Sequence, residues 1–122
     1  LSNEVNEFNN MNLKVYRNSD ILKIAAFIPP CHKHLRLAIV TKDQVIVLHE
    51  ATVAAIVRAY IDITTHPIRR AVEYTHVKLG KNAKKQGYAE DQLIEVNEVE
   101  STIIDKWGKV LKLEKCIDEK SR

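Results

Sequence analysis

The densest reactive cluster in the sequence is Cys31-His32-Lys33-His34, set directly after Pro29-Pro30. Cys31 and His34 stand in a C-x-x-H spacing, and a thiolate paired with an imidazole suits zinc. A structural zinc site takes four ligands, usually as two close pairs. The remaining donors (His49, His66, His76 and Cys116) are scattered singly. The competing account is a polar loop whose histidines face water, and the expectation is no metal and no cofactor. A cysteine nucleophile would need a distant base such as His49 or His66, because neighbouring side chains rarely align a thiol with an imidazole. For acid–base work the most suggestive pair is His49-Glu50. A glutamate in a first helical turn is also what the helix dipole favours. Together Cys31, His32, His34, His49 and Glu50 define one reading: a small enzyme, or a metal- or ligand-binding protein, with a pocket beside them.

Phosphate chemistry has less to work with. The three glycines, Gly80, Gly87 and Gly108, are too dispersed for a nucleotide-binding loop. A small anion could sit at a helix start after Thr65-His66-Pro67, reinforced by Arg69 and Arg70. The same arginines suit pairing with Glu73 along the helix. A basic stripe is the better hint. If residues 67–85 form one helix, Arg70, Lys78, Lys81, Lys84 and Lys85 fall in a single arc with Tyr74 among them. Cations interleaved with one aromatic ring could cover phosphates of a nucleic acid or another polyanion. The rival account is a solvated helix face whose lysines cap the final carbonyls.

The elements that must position these residues follow from hydrophobic spacing. Residues 1–12 hold five asparagines and read as a flexible tail. Leu13–Arg17 alternates like a strand and ends at the turn cluster Asn18-Ser19-Asp20. Ile21–Ile28 is apolar at nearly every position, as a strand covered on both faces would be, and Pro29-Pro30 ends it. Leu35–Val40 and Val45–Leu48 flank Thr41-Lys42-Asp43-Gln44 as a hairpin, with the second arm central in its sheet. Val53, Ile56, Val57, Tyr60 and Ile61 then recur at helical spacing, which predicts a heavily buried helix over residues 50–63. Ile68, Ala71, Val72, Thr75, Leu79 and Ala83 predict a second, opened by Pro67 and stopped at Gly87. Gln92–Val96 reads as a strand, with an all-helical reading of residues 93–117 as the alternative. Asn97 with Glu100 resembles a capping box opening a short helix, and Val110–Leu113 reads as a further strand.

Composition sets the frame. The chain has 122 residues, 45% hydrophobic and 29% charged, which fits one folded domain over residues 13–122. No apolar run is long enough to span a bilayer, and the acidic, Asn-rich start is unlike a signal peptide. Two cysteines far apart favour a reducing compartment, so a cytoplasmic protein is expected. The net charge of +3 hides a split. Residues 58–88 hold seven cations against two acids, and residues 89–119 hold nine acids against four lysines. Such blocks can pair within one molecule or across a dimer. Trp107, the single tryptophan, is an interface anchor if exposed and core if buried.

The expected architecture is a two-layer α+β domain: a mainly antiparallel sheet of three to five strands covered on one face by two central helices. The expected function is a non-catalytic, homodimeric binding or assembly module, contacting polyanions through Arg70, Tyr74, Lys78, Lys81, Lys84 and Lys85.

Overall fold

A computed structural model describes residues 11–80 and 90–112. The chain forms two compact units, one of Val15–Val96 and one of Leu1–Lys14 with Asn97–Arg122. The class is α+β, with two antiparallel sheets and two helices among the described residues.

The larger unit opens with the turn cluster, which forms a single 3-10 turn at Asn18–Asp20. The Asp20 carboxylate accepts from the Arg17 amide at 2.9 Å and meets Lys42 at 3.1 Å. Strands β1 (Ile21–Phe27), β2 (Arg36–Thr41) and β3 (Val45–His49) then make an antiparallel meander with β2 in the middle. β1, expected to be covered on both faces, is exposed along all but its first residue, and β3, expected to be central, is an edge. Leu13–Arg17, expected to be a strand, is irregular.

Helix α1 (Glu50–Thr65) follows β3 without a loop and packs against β2, β3 and the later strand Asp91–Glu95. Its phase differs from expectation. Ala55 and Ala59, with Thr52, Val53, Ala54, Asp62 and Ile63, occupy the covered side, so of the expected stripe only Val53 is covered, whereas Ile56, Val57, Tyr60 and Ile61 face outward. Alanine lets a helix approach a sheet closely, and that proximity decides the rotation here.

The second central helix expected over residues 67–85 does not form. Residues 66–73 are irregular, Tyr74–Lys78 is strand β4, and residues 81–89, with the expected stop at Gly87, lie outside the described residues. Val72, Tyr74, Thr75 and Val77 are β-branched or aromatic, and a cross-strand partner outweighs their helical spacing. β4 pairs antiparallel with β5 (Asp91–Glu95), Tyr74 opposite Glu95 and Lys78 opposite Asp91. Thr65-His66-Pro67 consequently ends a helix instead of starting one. The Thr64 and Thr65 hydroxyls donate back to the Tyr60 and Ile61 carbonyls at 2.8 and 2.6 Å, a local side-chain bond that competes with the helix near its end.

The smaller unit contains α2 (Glu100–Val110). Val99, not Asn97, is its N-cap, and no side chain caps it. Glu100 in the first turn and Lys109 in the last complement the dipole. The helix runs through Gly108 and closes at Lys112 with φ 56°, so the strand expected at Val110 is absent. Ile103 is buried and Trp107 half-buried. No helix among the described residues is long and apolar enough to cross a membrane.

Candidate functional site

The loop joining β1 to β2 carries the reactive cluster. Pro29 to His32 forms a turn closed by the His32 amide on the Pro29 carbonyl at 3.1 Å. Cys31 takes φ 64° in it, a left-handed position that favours glycine. Its thiol is free and exposed. The His32 ring lies 2.9 Å from the Pro30 carbonyl, turned back onto its own loop.

Glu50, the first residue of α1, holds the far end of this loop. Its carboxylate accepts from the Leu35 amide at 2.7 Å and stands 3.4 Å from His34 Nδ1. The Leu35 amide, and secondly His34, hold the Glu50 carboxyl below its ordinary value of 4.5. The structure thus brings His34 to Glu50 across sixteen positions, a contact that sequence spacing did not suggest. His49, the helix N-cap, makes no side-chain capping bond. Among the described residues no three of His, Cys, Asp and Glu converge on a metal-sized site. The arrangement is a tether from helix to loop.

A tether made by an ionised group depends on pH in a defined direction. A carboxylate whose folded value is depressed stabilises fully above its ordinary value and loses that contribution as pH falls through the folded value. The Leu35 amide protection factor, followed by NMR, will therefore hold steady down to about pH 4.5 and fall below it. Glu50→Gln will lower that protection and remove its acid dependence. A Leu35 amide equally protected at pH 3 and pH 7 would show that Glu50 does not hold the loop.

The residues of the basic arc are placed differently. Arg70 lies in the irregular segment before β4, Tyr74 opens that strand and Lys78 ends it. Lys81, Lys84 and Lys85 lie outside the described residues. Because Tyr74–Lys78 is a strand, Arg70, Tyr74 and Lys78 do not share a helical face. The Tyr74 hydroxyl donates to Asp62 at 2.8 Å, and the Arg58 guanidinium stands 5.4 Å from its ring centre. Burial, and then the Asp62 carboxylate, push the phenol above its usual value. Arg58 also donates to the Leu93 carbonyl at 3.1 Å, Arg69 pairs with Glu95, and His76 meets Asp91 at 2.7 Å. These bonds fasten β4 and β5 to α1 and to each other. The Arg69–Glu95 pair joins residues twenty-six positions apart, which spacing along the chain did not suggest.

What spacing missed is the surface of the meander. Residues directly opposite in an antiparallel pair point to the same face. The register places Lys23, Ala25, Phe27, Arg36, Ala38, Val40, Val45, Val47 and His49 together on one face. The other face carries Ile46 and Leu48, half-buried on the side that α1 covers. The open face is apolar at its middle, cationic at its margins and free of carboxylates. Alternation within each strand hints at such a face, but only the pairing assembles it. The chain matches no protein-family model, no curated protein and no solved structure.

Proposed function

We propose that this chain is a homodimeric assembly module whose work is binding, not catalysis. One observation carries the reading. Among the described hydrophobic residues of the Val15–Val96 unit, only Ala55 and Ala71 are buried, at 5% and 9% exposure. The larger apolar side chains are half-buried or open; Ile56, Val57, Tyr60 and Ile61 of α1 are between 48% and 70% exposed. Hydrophobic stabilisation scales with apolar area removed from water, about 25 cal/mol per Å². Half-buried side chains contribute only part of what full burial would against the entropy of ordering the unit. A second copy supplies the missing cover.

Sedimentation tests this directly. The protein will run at twice its 14.0 kDa chain mass at about 100 µM, and its melting temperature will rise with protein concentration. A species of single-chain mass, with a melting temperature independent of concentration, sinks the reading.

A further inference from the structure

β1 is an edge strand with little on it to discourage pairing. Among the described residues it pairs with β2 alone, so every second residue along its other side presents an N–H and C=O with no strand partner. A strand is the ligand that satisfies such a row. Proteins blunt exposed edges with lysines, bulges and prolines. β1 has one lysine, Lys23, and one register shift, between Ile21 and Lys23, both at its beginning. From Ile24 to Phe27 it has no charge and no proline. Leu22, Ile24, Phe27 and Ile28 are between 46% and 62% exposed.

We propose that β1 pairs antiparallel with β1 of a second copy, across a twofold axis through Ala25. The proposal rests on the self-association argued above and assigns it to the β1 edge with its exposed apolar residues, rather than to the outward side of α1. Symmetry restricts the register. A twofold axis perpendicular to the sheet keeps each side chain on its own face, so it must pass through a residue opposite its own copy. Centring on Lys23 sets two ammonium groups face to face. Centring on Ile24 draws in the irregular pairing at Leu22 and leaves the lysines diagonal neighbours, about 7–8 Å apart. Centring on Ala26 sets Lys23 opposite a proline, which has no N–H to give.

Centring on Ala25 pairs the whole regular stretch, residues 23–27. Lys23 then faces Phe27 of the partner subunit, an ammonium beside an aromatic ring. Ile24 faces the small Ala26 of the partner subunit, and Ala25 meets its copy. The two lysines stand four residues apart, about 13 Å, beyond the screening length of physiological salt. The result is a six-stranded sheet. Its open face is continuous, because Ala25, Ala38 and Val47 already form one row across each meander.

Cysteine crosslinking reads the register. Directly opposed residues in an antiparallel pair have Cα atoms about 4.5–5.5 Å apart, within disulfide range. In a background of Cys31→Ser and Cys116→Ser, Ala25→Cys will oxidise to a covalent dimer at least about tenfold faster than Val47→Cys, which lies on the same face two strands away. Ala25→Lys will remove the dimer from sedimentation while circular dichroism stays that of the parent. If the parent is dimeric but Ala25→Cys crosslinks no faster than Val47→Cys, the β1 pairing is wrong and self-association stands on another surface. A parent that sediments as a single chain removes both.

Discussion

Ala55→Leu will destabilise the protein by about 3 kcal/mol, whereas Ile56→Ala, one residue along, will change stability by less than about 1 kcal/mol. Ala55 lies on the side of α1 that packs against the strands, and it is the most covered hydrophobic residue of that helix. Three added carbon atoms there must displace either the helix or the sheet, since alanine set the spacing. Ile56 faces away, so shortening it leaves no cavity. Amphipathic reading of the helix gives the opposite ranking: Ile56 inside, with about 2–5 kcal/mol lost on truncation, and Ala55 tolerant of larger residues. Urea denaturation of both variants, in a dilution series that separates folding from association, decides the phase. Equal losses, or a larger loss at Ile56, would falsify the packing described here.

Thr41→Val will cost about 2 kcal/mol and Thr41→Ser much less. Thr41 is the buried polar residue at the end of β2, 4% exposed. Its hydroxyl lies 2.9 Å from both Asp43 Oδ1 and the Gln44 carbonyl, donating to one of them, and accepts from the Gln44 amide at 3.0 Å. The Thr41 amide meanwhile donates to the Gln44 carbonyl at 2.9 Å. One hydroxyl thus stands in for the Asn-Gly or Asp-Gly that the β2–β3 turn lacks. Valine has nearly the same shape and none of these bonds, and it leaves the Gln44 amide without its acceptor. Serine restores the oxygen. Thermal melts of the pair check the argument; a valine variant as stable as the serine one would mean that the backbone alone makes the turn.

The hairpin was legible because two β-branched runs flank a short polar stretch, and no distant residue is needed to recognise that. Helix α1 was legible in extent for the same reason, within two residues at its C-terminus. Its rotation was not. Ile56, Val57, Tyr60 and Ile61 make an apolar stripe that reads as the buried side of any single helix. Which side is buried depends on how closely the neighbours approach. The second helix failed similarly: Ile68, Ala71, Val72, Thr75 and Leu79 have helical spacing, yet Tyr74–Lys78 found a strand partner at Asp91–Glu95. Thr65-His66-Pro67 shows how little local chemistry constrains direction, since a threonine followed by proline suits either end of a helix. In the candidate site, Cys31, His32 and His34 were placed correctly in one loop. The bond from Glu50 to the Leu35 amide was invisible, because it joins a helix start to a strand start through a backbone group.

By itself the sequence determined the class and the local segments: antiparallel strands and helices, a turn at Asn18–Asp20, and a stop at Pro29-Pro30. These rest on interactions between residues near each other along the chain, which periodicity records. Tertiary structure alone decided that β1 and β3 are edges, that α1 turns Ile56, Val57, Tyr60 and Ile61 outward, and that a strand at Tyr74–Lys78 replaces the expected helix there. Each is a choice between local conformations of similar energy, settled by a partner that only chain reversal brings within reach.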